Sequence, residues 1–303
     1  MMINQSSTDN KIQQQLCAGV EAHVRGNLLA AENAYKAVLS LDDENATAHN
    51  NLGFIYGQQG NFSSALEHLQ TAVEINPDYA TAISNLGQIY FSLGEGEKAF
   101  ELLEQAVELG AEDAQNWHNL ARISLLVGNV QRAEYAWWRA HNLRPEKADY
   151  VVNMGIAVAA QNRFAEAEKI YQAVVVQHPQ HFNALLQLGI CQLLMKNYGS
   201  ARDTLLRALA LNPKDPSLLR HLGLVELTLG DKAAAASYFR ALVDVRSEDS
   251  NARVDYALVL LDLGEWDALV RERDLLQAVS MPDDRIKHYL QIINESLRSR
   301  AVH

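Results

Sequence analysis

Cysteine is almost absent. Cys17 and Cys191 are the only two in 303 residues, so no disulfide framework holds this chain together. That usage favours a reducing compartment. Cations are also scarce: 26 Lys and Arg face 37 Asp and Glu, for a net charge of −11. Generic nucleic-acid binding needs clustered cations that displace counterions, and an anionic membrane surface would repel this chain. An acidic protein kept dispersed by its own charge is the simpler reading. No run of 18 apolar residues is present, which leaves no membrane span. The opening MMINQSSTDNKIQQQ has no apolar signal core, and no hydrophobic segment precedes Cys17 in QQQLCAG. The expected location is cytoplasmic, or periplasmic or envelope-associated if a signal has been removed.

Reactive constellations are missing as well. There is no Gly-rich phosphate loop, no Cys-x-x-Cys and no nucleophile elbow. The best metal candidate, His178-Pro-Gln-His181, offers two imidazoles and no third ligand, so both are read as loop histidines. The expectation is no catalysis, no cofactor and no metal.

What the chain does have is periodicity. Residues 46–79, ATAHNNLGFIYGQQGNFSSALEHLQTAVEINPDY, recur at a shift of 34, with units starting at 12, 46, 80, 114, 148, 182, 216 and 250. The eighth position is Gly19, Gly53, Gly87, Gly155, Gly189 or Gly223, with Ala121 and Ala257 in the other two units. The fifteenth is Gly26, Gly60, Gly94, Gly128, Gly230 or Gly264, with Asn162 and Lys196 as exceptions. Of the 16 glycines, 12 fall at these two positions, which marks geometry rather than composition. Pro77, Pro145, Pro179 and Pro213 hold position 32, replaced elsewhere by Asp43, Ala111, Ser247 and Met281.

Each unit reads as two helices. Leu52, Ile55 and Tyr56 lie on one helical face, and Phe62, Ala65, Leu66, Leu69 and Val73 on another. Gly60 ends the first helix through a left-handed residue, and Asn61 or Asp231 suits the next N-cap. Asn76-Pro77 closes the second, because the residue before proline disfavours the helical region. One pair cannot bury its apolar face alone, so units must stack. A length of 303 would ordinarily suggest two domains; a gapless repeat predicts one elongated one.

The pattern is similar to the tetratricopeptide repeat (TPR) family. Leu52, Gly53, Tyr56, Ala65, Leu69, Ala72 and Pro77 carry the motif, as do Leu86, Gly87, Tyr90, Ala99, Leu103 and Ala106. Trp117, Leu120, Ala133, Trp137, Ala140 and Pro145 carry it again. The resemblance spans about residues 12–283 and implies an all-α, right-handed TPR superhelix of bacterial style. Residues 1–11 are expected to be disordered, 12–283 to form eight units, and 284–303 a C-terminal capping helix and tail. In the last unit Leu269 replaces a small Ala, so its helices should pack less closely. Trp137 takes a core position, and Trp138 is expected on a neighbouring unit's helix.

The family resemblance implies that first helices line a concave groove. There, Asn51, Asn85, Asn119 and Asn153 recur at position six, followed by Gln187 and His221. Neighbouring units stand roughly 10 Å apart, and an extended peptide advances about 3.3 Å per residue. One amide could therefore meet about every third residue and satisfy its backbone whatever its side chains. This resembles the asparagine ladders of long TPR grooves. Position nine reads Phe54, Gln88 and Arg122, then Ile156, Ile190, Leu224 and Leu258. With Asn50 added, these residues make up the expected peptide-binding groove: polar and amide-lined first, apolar later. The apolar half could instead serve self-association. A carboxylate clamp is not expected, since Asn50 and Asn51 are followed by Thr81, Ser84 and Gln115 rather than bases, and Arg122 and Arg220 look isolated.

The function expected is a non-catalytic scaffold or adaptor that holds a partner peptide or helix in its groove. One alternative is an envelope assembly factor, pilotin-like, for a pilus or secretion apparatus. Another is the substrate-recognition arm of an enzyme such as a glycosyltransferase.

Overall fold

The computed structural model describes residues 2–280 and 283–301. All regular structure among them is helical, and the chain divides into two compact units at Gln161/Asn162. In the first unit α1 (Met2–Val24) pairs with α2 (Leu28–Leu39), α3 (Ala46–Gln58) with α4 (Phe62–Ile75), α5 (Ala80–Ser92) with α6 (Gly96–Leu109), and α7 (Ala114–Leu126) with α8 (Val130–Leu143); α9 (Ala148–Ala160) ends it. The second unit opens with α10 (Phe164–Gln177). It continues with α11 (Phe182–Leu194) and α12 (Tyr198–Leu211), α13 (Pro216–Leu229) and α14 (Lys232–Val245), and α15 (Ser250–Leu263) and α16 (Trp266–Gln277). The last helix is α17 (Asp284–Ala301). Each first helix from α3 to α15 starts on the first residue of a 34-residue period.

Local chemistry explains these boundaries. Gly60 sits at φ 76°, and the five other position-15 glycines are left-handed too. Asn162 and Lys196 adopt the same conformation at φ 61° despite their side chains. The turn therefore belongs to the repeat, not to glycine alone. Asn27, Asn61, Asn129 and Asp231 then cap the second helices, each accepting from the backbone N–H three residues on. Asn76 is extended before Pro77.

Packing within a hairpin depends on the eighth position. A Cβ on Gly53 would lie 2.5 Å from Leu69 Cγ and 3.1 Å from the Ala65 carbonyl oxygen. The bare backbone of α3 thus receives Leu69 of α4, and Leu69 is fully buried. Tyr35, Leu103, Trp137, Leu205 and Phe239 are buried at the equivalent position of their own hairpins.

In the first unit α3 packs on α5 and α5 on α7. The second helices pack on the first helix of the next hairpin and at most marginally on one another. First helices are drawn together, so their free side is the inner side of a bend in that unit. In the second unit α17 covers α15 and α16: Ile286 and Ile293 are buried against Val254, Leu260, Leu269 and Leu276. Asp283 Oδ1 caps α17 by accepting from Ile286 N–H (2.8 Å). Leu269, too large for its position, is fully buried in this three-helix cluster.

Two expectations are corrected. Residues 2–11, read as disordered, form the first turns of α1. They contain no Pro or Gly, and extending an anchored helix costs far less than nucleating one. Trp138 does not pack on a neighbouring unit's helix; it is 47% exposed, beside Tyr135 of its own helix. Met281 and Pro282, at the end of the eighth period, lie outside the described residues.

Candidate peptide-binding groove

The first helices of the first unit carry the expected amides, but not as a free ladder. Asn85 Nδ2–H donates to Asn50 Oδ1 (2.9 Å), and Asn119 Nδ2–H donates to Ser84 Oγ (2.9 Å). Both bonds span 35 residues, from position five of one repeat to position six of the next. Asn50 in turn donates to Asn51 (3.1 Å), Gln88 to Asn85 (3.4 Å) and Gln115 to Asn119 (2.9 Å). Asn85 is 9% exposed and Asn119 3%. These amides clasp α3 to α5 and α5 to α7. The cause is the close approach of the first helices: position six is buried by its neighbour, and a buried amide must be paired. The ladder of four solvent-facing asparagines is corrected accordingly. Asn51 and Asn153 remain half-buried and reachable.

A different feature is formed where the clasp opens. A cavity of about 180 Å³ lies between α3 and α5, with Phe54, Phe62, Leu69 and Ile89 as its apolar walls. Gln58, Asn85, Gln88 and Ser92 supply its polar rim. Gly57 also lines it, and a Cβ there would meet Ile89 Cδ1 at 2.7 Å. Position 12 is bulkier in other repeats, as at Phe91 and Leu125. This Gly/Phe54 combination was the signal available in the sequence for the socket. His23 packs its ring on Phe54 (5.4 Å) and meets Gln58 Oε1 (3.3 Å).

Further along, Arg122 is exposed. His118 is half-buried, and its Nδ1 accepts from Trp137 Nε1–H (3.3 Å), which makes Nε2 the protonated nitrogen. Burial, with the charge of Arg122 adding to it, pushes the His118 pKa down. No bond joins His118 to Asn153, so the clasp stops here. Ile156 is half-buried.

In the second unit Gln187 and Ile190 are half-buried, and Leu224 is 44% exposed. His221 is half-buried and turned back on its own helix, Nδ1 lying 2.7 Å from the Ser217 carbonyl. Arg220 is not isolated. It bonds Asp255 (2.9 Å) and Asp249 (3.1 Å), and Arg285 of α17 reaches the other Asp255 oxygen (2.6 Å). Arg220–Asp255 again joins position five to position six, 35 residues apart, so the polar clasp returns as an ion pair. With its guanidinium so engaged, Arg220 offers nothing to a ligand carboxylate.

Among the described residues no cluster of three or more His, Cys, Asp or Glu could hold a metal. His181 caps α11, its Nδ1 accepting from Ala184 N–H (3.2 Å). No helix among the described residues is long and apolar enough to cross a membrane.

In class, this is an all-helical array of hairpins. Tetratricopeptide repeat models match residues 44–112, 158–222 and 221–268, and a TPR repeat model matches 23–60. Together they cover most of the chain, which belongs to the tetratricopeptide repeat family. No curated protein matches it in sequence. Among solved structures it is similar to a tetratricopeptide repeat protein from Parabacteroides merdae, with 17% identity over 83% of this chain and 99% of that one, TM-score 0.62. It is also similar to PilF of Pseudomonas aeruginosa, with 21% identity over 71% and 96% of the two chains, TM-score 0.59. A third is YrrB, a TPR protein with an unusual peptide-binding site, with 22% identity over 62% and 97%, TM-score 0.52. At these identities the likeness is one of fold.

Proposed function

We propose that the protein is a non-catalytic interaction scaffold that holds an extended partner segment along the first helices of its first unit. The observation that carries this reading is the socket at Phe54. An apolar pit with an amide rim suits a peptide that inserts one side chain and offers its backbone to Gln58 and Gln88. Arg122 supplies a charged contact two repeats on from Phe54. Burying one aliphatic side chain stabilises by about 1.5–3 kcal/mol. Each net hydrogen bond adds about 0.5–1.5 kcal/mol. Association costs offset much of that sum, so a long segment is needed for tight binding.

Selection of peptides from a displayed library, followed by anisotropy titration of an enriched peptide, tests the reading. Phe54→Ala should weaken binding about ten-fold or more, and Gln88→Ala less. Peptides that bind both variants as well as the parent chain would show that the socket is not the binding device. A second reading, assembly of a pilus or secretion apparatus at the envelope, draws on the likeness in fold to PilW, a type IV pilus biogenesis factor, with 21% identity over 71% of this chain and 97% of that one, TM-score 0.60. The exposed Leu224 and Leu194 keep self-association through the second unit as a further reading.

A further inference from the structure

The second helices carry an aromatic face that the groove does not use. On α8, Tyr135 and Trp138 are 42% and 47% exposed, their ring centroids 5.8 Å apart. Packing does not call for them, because Trp137 already fills the core position at 2% exposure. Nor does the repeat: the flanking second helices place Glu67 and Gln70, Glu101 and Glu104, and Lys169 and Gln172 at the same two positions. Among the described residues, no other hairpin carries two adjacent exposed aromatic rings at these positions.

Arginines are threaded through the face. Arg132 lies 5.2 Å from the Tyr135 ring and 5.5 Å from that of Trp117, and Arg139 lies 4.7 Å over Trp117. Trp117 meets Tyr135 edge-on at 5.9 Å. Arg132 is neutralised by Glu104 through both guanidinium prongs. No carboxylate lies within ion-pair distance of Arg139 among the described residues, so its guanidinium is held in place by a ring and keeps its charge. Stacking fixes its orientation, which reduces the entropy lost on binding. Trp, Tyr and Arg are also the residue types that dominate binding hot spots.

We propose that this face of α8 is a second docking surface, one that takes an acidic peptide segment of a partner protein. A carboxylate of the segment pairs with Arg139, and an adjacent aromatic or aliphatic side chain lies on Trp138 and Tyr135. Charge decides the partner's sign: the uncompensated group here is a cation, on a chain whose net charge is −11. The exposed Glu97, Glu101 and Glu108 of neighbouring α6 confine an anion to α8. The isolated cation also favours peptide over nucleic acid, whose backbone needs a row of bases.

The test is anisotropy of labelled EEFEEFEE, QQFQQFQQ and a thymidine dodecamer with the full chain. EEFEEFEE should bind, and QQFQQFQQ should bind about ten-fold or more weaker. Arg139→Gln and Trp138→Ala should each lower EEFEEFEE affinity about ten-fold, with unchanged circular dichroism. Equal binding by Arg139→Gln and the parent chain would overturn the proposal, as would no binding at all. So would preferential capture of the dodecamer at these residues. Sedimentation decides against the proposed partner in one further case: a dimer dissolved by Arg139→Glu would make the occupant a second copy's α6 stripe.

Discussion

Asn119 shows how one amide holds two repeats. Its Nδ2–H reaches Ser84 across the α5–α7 seam, and its Oδ1 takes the amide of Gln115. Asn119→Ala leaves Ser84 buried without this partner, so chemical denaturation should show a loss of about 1–3 kcal/mol. Peptide affinity at the Phe54 socket should hardly change. An effect on affinity without one on stability would return Asn119 to the ligand. Protonation acts at the same scale. His68 and His118 are both held below the ordinary imidazole value of 6.5, His68 by burial and then by His49. The His49 and His68 Nδ1 atoms are 2.9 Å apart, and the Asp43 carbonyl oxygen lies 3.0 Å from His49 Nε2, so a second proton has no acceptor between the rings. As pH falls below 6.5 the unfolded chain takes up protons that the folded chain refuses. Stability is therefore full above that value and declines through the window down to the folded pKa values. Thermal melts from neutral to acidic pH should show this decline, and the His68→Gln/His118→Gln double variant should show a shallower one.

At the scale of the element, the first-helix ends follow a single conformational rule. Six of eight repeats meet it with glycine, while Asn162 and Lys196 meet it with a side chain at φ 61°. Asn is the better tolerated of the two, since its short polar side chain can bond locally. Lys196 has no such compensation. Lys196→Gly should therefore raise stability by up to about 1 kcal/mol, the left-handed penalty less glycine's extra freedom in the unfolded chain. Lys196→Ala should bring no gain, and a drop in melting temperature for the Gly variant would contradict the account. The helix positions, turn residues and caps were legible in the sequence because each depends on groups a few residues apart. Trp138 was misplaced for the opposite reason. Periodicity assigns a face to a side chain but does not say whether a neighbour stands there.

At the scale of the whole molecule, each hairpin stabilises mainly its neighbours, so damage should stay local. Ile293 of α17 is fully buried against α15 and α16. Ile293→Ala should cost about 2–5 kcal/mol, and hydrogen exchange should accelerate in α15, α16 and α17 while α3–α8 keep their protection. Uniform acceleration along the chain would mean a cooperative whole rather than a linear array. The recurrence of 34 residues was enough to establish hairpins, the small eighth position and membership of a repeat family, because helix length and turn chemistry are local. Which polar groups face a ligand was not decided there. Asn85, Asn119 and Arg220 were drawn into bonds 35 residues long, and Phe54 was left beside an open socket, by how closely successive first helices approach. That distance is set by side chains from several repeats packing at once, and only the folded chain brings them together.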